Sequence, residues 1–488
     1  MHSLWLDTHD PSHLPSHTLP PEPAYDVAIA GAGLTGLATA VQIARTGRSV
    51  VVLEARTVGA VATGNTTAKL TLLQGMKLSS IREQHSLDVA AAYLEANRAG
   101  REWLLELCGR RGVDVQHRPA STYAVTADGA HRLREELETA RELGLDAQWS
   151  ETGELPIPIA SAVTLDDQIQ FHPMQVLTAL AQEFASLGGT LVEGVRVTGA
   201  GRRGPLTLET TAGPVEVGHL VLATGIPSLD RGGHAMRMSP NRSYALTFRV
   251  PTGGFVPHGM HISADGPTRT LRSVPVDGEE LLLVGGNDHV TGNAPDSPAA
   301  RIADLEEWTQ HQVPGVVRTH AWAAQDYEPA AGLPLIGALP GSDGTILAAT
   351  GYAKWGMANA VAAAQALTGL LEDAPPSWHE TMDGSSGGLR ALAASASTAA
   401  RVGTDLVGDW TAAELRPLPE QSPGEGDGVV GRSEGRPVAV STVDGRRCAI
   451  SAICTHMGGL VRWNDAERSW DCPLHGSRFA ADGSVLEG

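Results

Sequence analysis

A strand, a glycine-rich turn and a helix near the start of the chain constrain the fold more than any other feature. Residues 27–30 are a short apolar run, which is typical of a buried parallel strand. The run leads into the motif GAGLTG at 31–36, and the small apolar residues of 34–44 predict a helix packed closely on a sheet. A second apolar run at 50–53 ends at Glu54. These segments predict a strand–helix–strand unit that binds a nucleotide.

Each position of the glycine motif has a physical role in this unit. Gly31 permits the tight turn, Gly33 lets the backbone approach a pyrophosphate, and Gly36 lets the helix lie close to the strand. The pyrophosphate would lie at the start of the helix, where Leu34 and Thr35 stand. The acid that ends the second strand can accept hydrogen bonds from a ribose. The motif alone does not distinguish NAD from FAD.

Length, charge and cysteine content exclude several classes of protein. A chain of 488 residues suggests about three domains at roughly 150 residues each. Acidic residues outnumber basic ones 55 to 36, so we expect no basic surface for nucleic acid or an anionic membrane. We expect no membrane span, because no apolar run approaches roughly 18–20 residues, and no secretory signal at the start. Four cysteines do not make a disulfide scaffold, so we expect a cytoplasmic protein.

Two short segments near the end of the sequence each supply one thiol and one imidazole. The first contains Cys454 and His456, and the second contains Cys472 and His475, in a C-x-H…C-x-x-H arrangement. Two chemistries fit these donors: one zinc ion, or a [2Fe–2S] centre with both cysteines on one iron and both histidines on the other. The second explains why each segment contributes one residue of each type.

Two resemblances to known families follow from these motifs. CTHMGG at 454–459 and CPLHGSRF at 472–479 resemble the two cluster loops of Rieske proteins. Residues 25–375 resemble the D-amino-acid-oxidase type of FAD-dependent oxidoreductase. Besides the glycine motif, this resemblance is carried by GAVATGNTTAKL (59–70), GHLVLATG (218–225), AQDYEPAAGLPLIG (324–337) and ATGYAKWGM (349–357).

The resemblances imply two cofactors, FAD and one [2Fe–2S] cluster, and a set of residues for each. The implied cluster ligands are Cys454, His456, Cys472 and His475. The implied FAD contacts are Gly31, Gly33, Leu34, Thr35, Gly36, Glu54, Arg56, Thr63, Thr67, Lys69, Val195, Thr224, Gly225, Gly351, Lys354, Trp355, Gly356 and Met357.

The implied fold is an α/β FAD-binding Rossmann-like domain with an interleaved α+β substrate domain, followed by a small all-β Rieske domain. After an irregular arm at 1–24, the FAD-binding parts are about 25–80, 165–235 and 325–375, and the substrate domain is about 81–164 and 236–324. A helical segment near 388–414 and a linker fill 376–428. The Rieske domain spans 429–488 and stops about one strand before such domains usually do, as a truncated sequence would.

The combined resemblance implies oxidation of a small amine or amino acid by hydride transfer to flavin, with one-electron transfer between flavin and cluster. A [2Fe–2S] centre takes electrons one at a time, so we expect a protein electron acceptor, or a donor if the flow is reversed. Two alternatives remain open: a reductase fed by an external donor, and a non-catalytic electron-transfer or redox-sensing protein. The catalytic residues are unknown, and the candidates are Lys69, Lys354, Arg242, Tyr244 and His289.

Overall fold

The structure is a computed structural model that describes residues 1–488 except 22, 202–205, 228, 230–236, 295, 387–416, 420 and 457. The helices of the described residues are α1 (Leu4–Asp7), α2 (Leu34–Ala44), α3 (Lys77–Gln84), α4 (Leu87–Arg111), α5 (Ala127–Glu142), α6 (Pro173–Ser186), α7 (Pro298–Gln312), α8 (Gly356–Leu371) and α9 (Ser377–Ser386), with 3₁₀ turns at Pro11–His13 and Thr63–Asn65.

The strands belong to four sheets. They are β1 (Ala24–Ala30), β2 (Val50–Glu54), β3 (Lys69–Leu70), β4 (Val115–Ala124), β5 (Gln148–Ser150), β6 (Ser161–Phe171), β7 (Thr190–Glu193), β8 (Val197–Ala200), β9 (Leu206–Thr210), β10 (Val215–Leu222), β11 (Met238–Arg249), β12 (Met260–Ser263), β13 (Arg269–Val276), β14 (Glu279–Val290), β15 (Val317–Pro329), β16 (Leu335–Ala338), β17 (Ile346–Thr350), β18 (Gly428–Ser433), β19 (Arg436–Val443), β20 (Arg446–Ser451), β21 (Arg462–Asn464), β22 (Ser469–Asp471), β23 (Arg478–Ala480) and β24 (Val485–Glu487).

The first sheet contains the predicted strand–helix–strand unit. Its order is β16-β17-β10-β1-β2-β7, and β9 and β8 continue from β10. The four inner strands and β7 run parallel, and helices α2 and α8 pack against each other. The residues 27–30 are buried, as expected for a strand covered on both faces. The carboxyl ends of these strands therefore meet at one edge, where a nucleotide binds in open α/β sheets.

The second sheet has nine strands in the order β15-β11-β14-β13-β12-β4-β6-β3, with β5 paired to β6. Its strands pair antiparallel except where β12 meets β4. Strands of both sheets alternate along the chain, which agrees with an interleaved second domain. Together, α1–α9 and β1–β17 form what we call the body.

Strands β18–β24 form a small unit of their own, which we call the C-terminal module. It consists of a three-stranded sheet, β18-β19-β20, and a four-stranded sheet, β21-β22-β23-β24. Its apolar core includes Ala439, Leu460, Trp470 and the two cysteines Cys454 and Cys472. The module is therefore built around the two cysteine-containing loops.

The structure differs from the sequence-based expectation in three places. Residues 1–24 are not wholly irregular, since α1 forms there and buries Leu4 and Trp5. Apolar residues with helical spacing predict a helix over 79–112, which the structure divides into α3 and α4, because Ser86 caps α4 by accepting from Val89 N. The segment 242–326, which the sequence predicts to be rich in strands, also contains helix α7. The helix expected at 388–414 lies outside the described residues. None of the described helices is both long and apolar enough to cross a membrane.

Candidate functional site

A cavity of about 790 Å³ lies between the two sheets of the body and the C-terminal module. Its walls include the carboxyl ends of β1, β2, β10 and β17 and parts of β3, β11, β14 and β15. Every FAD contact predicted from the sequence lines it, with the exception of Gly36. Residues from all these sequence motifs therefore line one cavity.

The glycine motif has the backbone geometry that close approach requires. Gly31 has φ +104°, and a Cβ there would lie 2.5 Å from the Ala223 carbonyl oxygen. A Cβ on Gly36 would lie 1.9 Å from the Gly31 carbonyl oxygen, so Gly36 serves helix packing and does not face the cavity. Leu34 N–H donates to Thr63 Oγ1 at 3.1 Å. The N–H groups at a helix start are the usual partners of a phosphate.

Glu54 holds the turn from which the ribose of a nucleotide would be bound. Its Oε2 accepts from Ala32 N and its Oε1 from Arg56 N, both at 2.8 Å. Burial raises the pKa of this carboxyl above its ordinary value, and these two hydrogen bonds oppose the rise. Glu54, Arg56 and Val195 line the same end of the cavity, as expected for the adenosine half.

Replacing Glu54 with leucine is expected to weaken FAD binding strongly. Hydrogen bonds to a charged group contribute about 1.5–3 kcal/mol each, so the Kd for FAD should rise about 10- to 100-fold. Fluorescence quenching of FAD titrated with apoprotein measures this Kd, and Glu54→Gln, which keeps an acceptor oxygen, should show a smaller rise. An unchanged Kd in the leucine variant would remove Glu54 from the site.

The loop at 64–68, which also lines the cavity, is held by its backbone carbonyls. Each of five consecutive carbonyl oxygens accepts a hydrogen bond from a side chain elsewhere in the body. The pairs are Ser3 Oγ to Gly64 O at 2.6 Å, Trp322 Nε1 to Asn65 O at 2.8 Å, Trp5 Nε1 to Thr66 O at 2.6 Å, and Arg272 Nη1 to Thr67 O at 2.8 Å and Ala68 O at 2.7 Å. Sequence reasoning missed Trp5, Trp322 and Arg272, since no local motif marks them.

Lys354 and Asp288 form an ion pair on the cavity wall. The Lys354 ammonium lies 2.9 Å from Asp288 Oδ2. Burial raises the pKa of Asp288, but the charge of Lys354 and the hydrogen bonds from Lys354 and Thr268 together lower it below its ordinary value. The backbone N–H of Lys354, a residue with φ +72°, donates to the Asp326 carboxylate. The positive charge of Lys354 is thus paired with the carboxylate of Asp288.

Tyr244 and His289 lie together, but His289 does not face the cavity as a base for a substrate would. Tyr244 OH lies 2.9 Å from His289 Nε2, and His289 Nδ1 lies 2.9 Å from the Val290 carbonyl oxygen. Val290 O can only accept, so Nδ1 carries the proton and Nε2 accepts from the tyrosine. Burial lowers the pKa of His289 and raises that of Tyr244 to about 12. Tyr244 lines the cavity and His289 does not.

Arg242, one of the candidate catalytic residues, does not line the cavity. The residues of β11 that line it are Asn241, Ser243, Tyr244 and Ala245. The register of β11 against β14 shifts between Arg242 and Tyr244, and strand alternation places Arg242 on the face opposite its neighbours Asn241 and Ser243. There its side chain is 1% exposed and pairs with Glu467 of the C-terminal module. Arg242 contacts the module instead of the cavity because of the sheet face that it occupies, and the sequence around it does not reveal this face.

The four predicted cluster ligands lie together as two like pairs. Cys454 and Cys472 are both buried, and their hydrogen bond lowers the pKa of the Cys454 thiol and raises that of Cys472. The rings of His456 and His475 have centroids 5.0 Å apart at 72°. A pair of thiolates and a pair of imidazoles is the donor set of a [2Fe–2S] centre with one pair on each iron. These residues therefore fit such a cluster.

The second cluster loop is pressed against the body. Gln325 Nε2 lies 2.9 Å from the Gly476 carbonyl oxygen and 3.1 Å from Glu487 Oε1. A Cβ on Gly476 would lie 2.6 Å from Gln325 Nε2, and one on Gly292 would lie 2.9 Å from Pro473 N. Only residues without a Cβ permit such an approach.

The first cluster loop opens onto the cavity. Thr455 and His456 are exposed and line it, together with Ser477 and Phe479. His475 is instead buried, with 1% of its surface exposed. The two imidazoles are therefore inequivalent, and His456 is the one that shares a space with the nucleotide motif.

Buried charges line the contact between the module and the body. Arg478 Nη2 lies 3.1 Å from Glu467 Oε1, and its Nε lies 3.2 Å from Asp471 Oδ1. Its Nη1 lies 3.7 Å from Glu487 Oε2. With Arg242, these residues form a network that we call the charged seam.

Comparison with known proteins assigns both parts of the chain. Residues 26–370 match the family described as FAD dependent oxidoreductase (DAO), and residues 418–488 match the Rieske [2Fe-2S] domain. YhfW of Bacillus subtilis (strain 168), named as a Rieske 2Fe-2S iron-sulfur protein, is 31% identical over 95% of this chain and 91% of its own length.

Solved structures share the fold of the body. Glycine oxidase from Geobacillus kaustophilus has a TM-score of 0.62 at 23% identity, over 73% of this chain and 96% of its own. L-proline dehydrogenase from P. horikoshii has a TM-score of 0.63 at 15% identity, over 74% and 96%. The predicted fold class is confirmed. The chain belongs to the DAO family of FAD-dependent oxidoreductases and carries a Rieske domain, so that it binds FAD and one [2Fe–2S] cluster.

Proposed function

We propose that the protein is a dehydrogenase for a small amine or amino acid that exchanges electrons with a protein partner through its cluster. When bound, FAD supplies hydride acceptance and the cluster supplies one-electron exchange. The names of two structural neighbours, a glycine oxidase and an L-proline dehydrogenase, support an amino-acid substrate. The cytoplasmic location, the absence of nucleic-acid binding and the domain boundaries given above are part of this proposal.

The candidate residues would have three roles: they would hold the cluster, bind FAD and orient the substrate. Cys454 and Cys472 would hold one iron, and His456 and His475 the other. The FAD contacts of the predicted set would bind the cofactor, with the pyrophosphate at the start of α2. The walls of the cavity that belong to β11, β13 and β14 would orient the substrate and exclude water.

The observation that carries the proposal is the shared cavity. His456, a predicted cluster ligand, lines the same space as the glycine motif and the residues of 349–357. Gln325 lines this space too, and it donates to the backbone of the second cluster loop. A cluster held here would lie beside the redox cofactor of the body, which is the arrangement that electron exchange between them needs.

Anaerobic mixing of the holoprotein with a panel of amines and amino acids tests the proposal. We expect at least one compound to bleach the flavin absorbance, and the Rieske signal of the reduced cluster to grow afterwards in electron paramagnetic resonance. A panel of matched carboxylic acids without the amine is the control. If no amine bleaches the flavin but reduced ferredoxin or a reduced nicotinamide does, the protein is a reductase or an electron-transfer protein.

A further inference from the structure

Part of the C-terminal module lies at the adenosine end of the cavity. Residues 485–488, which comprise β24 and Gly488 and which we call the module wall, line the cavity together with Glu54, Arg56 and Val195. The FAD contacts implied by the sequence motifs all belong to the body. The module wall is therefore a part of the cavity that those motifs do not predict.

Two arginines of the body hold the module wall by its backbone. Arg56 Nη1 donates to the Leu486 carbonyl oxygen at 3.3 Å. Arg196 Nη1 donates to Gly488 O at 2.9 Å, and its Nη2 donates to the Val485 carbonyl oxygen at 3.4 Å. Both arginines line the cavity and follow the parallel strands β2 and β7. The contact thus lies at the sheet edge where a nucleotide binds in open α/β sheets.

The module wall is also joined to the second cluster loop. Strand β24 pairs antiparallel with β23, where Glu487 lies opposite Arg478. Gln325 of the body contacts both segments, since its Nε2 lies 3.1 Å from Glu487 Oε1 and 2.9 Å from the Gly476 carbonyl oxygen. The same short strand therefore contacts the adenosine end of the cavity and the loop that contains Cys472.

A ligand that contacts two parts of a chain stabilises the arrangement in which both contacts exist. An adenosine bound beside Glu54 would touch the body and the module wall together. By linkage, FAD would favour the docked module by the same factor by which docking raises the affinity for FAD. Cofactor binding and module docking would then be coupled.

We propose that the module wall belongs to the FAD site at its adenosine end, so that bound FAD holds the C-terminal module against the body. Arg56 and Arg196 act as positioning residues, because they hold the backbone of the module wall. The inference goes beyond the proposed function, since it concerns the cofactor and the module and requires no substrate. The cluster would then be held beside the cavity chiefly in chains that carry FAD.

Hydrogen–deuterium exchange of the full chain, with the cluster in place and with or without added FAD, tests this coupling. We expect FAD to slow amide exchange at 485–488 about tenfold. Strand β19 lies in the other sheet of the module and does not line the cavity, so its exchange should not change. Equal exchange at 485–488 with and without FAD would overturn the inference.

Leu486→Ala tests the contact from the side of the module. It removes apolar surface from the cavity wall and keeps the carbonyl oxygen that Arg56 binds, so the Kd for FAD should rise about fivefold. Fluorescence quenching of FAD titrated with apoprotein measures this Kd. A Kd equal to that of the parent protein would contradict the inference.

Leu418→Ala is the matched control for this variant. Leu418 is also half-buried, but its N–H donates to the Arg432 carbonyl oxygen of β18 and it does not line the cavity. Its Kd for FAD should equal that of the parent. Iron content and far-ultraviolet circular dichroism compare the folding of all variants.

Arg196→Met distinguishes a positioning role from direct contact with the nucleotide. In this variant the Kd for FAD should rise, and exchange at 485–488 should be about threefold faster even without FAD, because two hydrogen bonds to that backbone are lost. If the Kd rises but exchange without FAD equals that of the parent, Arg196 contacts the nucleotide itself and the inference fails. These measurements use no substrate, so the failure of every amine to bleach the flavin would refute the proposed function alone.

Discussion

Replacing Cys472 with serine is expected to remove the iron–sulfur cluster and leave the flavin in place. Cys472 is 1% exposed and lies beside Cys454, whereas Cys448, the third cysteine of the module, lies on β20 outside both cluster loops. A [2Fe–2S] centre that loses one thiolate has an open position on iron, and we expect iron and acid-labile sulfide to fall from about two per chain to nearly none. Chemical analysis and the visible spectrum measure this, and FAD should stay at about one per chain.

Cys108→Ser provides the matched control. Cys108 is also buried, but it lies on α4 of the body, far in sequence from both cluster loops. The iron and sulfide content of this variant should equal that of the parent protein. If Cys472→Ser retains both iron and sulfide, the proposed ligand set is wrong. Zinc in place of iron in the parent protein would refute the cluster itself.

Replacing Glu467 with glutamine is expected to separate cluster reduction from flavin reduction. Glu467 pairs with Arg242 and with Arg478 in the charged seam. Removing one partner of a buried ion pair costs about 3–5 kcal/mol, and this cost falls on the contact between module and body. In anaerobic stopped-flow experiments the flavin should bleach at the parent rate, while cluster reduction should slow at least tenfold.

Two further variants test this reasoning. Glu279→Gln removes an equivalent pair at an exposed position, where Arg249 Nε lies 3.0 Å from Glu279 Oε2. Exposed pairs contribute about 0–1 kcal/mol, so its kinetics should match those of the parent. The double variant Arg242→Met/Glu467→Gln removes both partners of the ion pair that joins the module to the body and should recover part of the rate. Equal rates of cluster reduction in Glu467→Gln and the parent would contradict a role for the seam.

The nucleotide half of the site could be predicted because its determinants are local. Gly36 packs against the Gly31 carbonyl five residues earlier, and Glu54 accepts from Ala32 N and Arg56 N, so a short stretch of sequence contains most of the information. The same holds for the two cluster loops, since each carries one thiol and one imidazole within four residues. In these loops the thiol and imidazole donors themselves indicate a metal centre.

The substrate half could not be predicted, because it depends on which face of a sheet each residue occupies. Arg242 and Ser243 are adjacent, but strand alternation sends one to the charged seam and the other to the cavity. The contacts of the Lys69 ammonium come from β12 and β13, which are distant from it in sequence. His456 is exposed and lines the cavity while His475 is buried, a difference that the two loop sequences do not reveal.

The loop at 64–68 has a thermodynamic consequence for how FAD is captured. Its five carbonyl oxygens are already satisfied by side chains of the body, so this backbone has little freedom left to lose. Fixing a residue's backbone costs about 1–2 kcal/mol of conformational entropy. That cost is met when the chain folds, and the wall beside the cofactor behaves as a preorganised receptor whose affinity is not reduced by ordering of this loop.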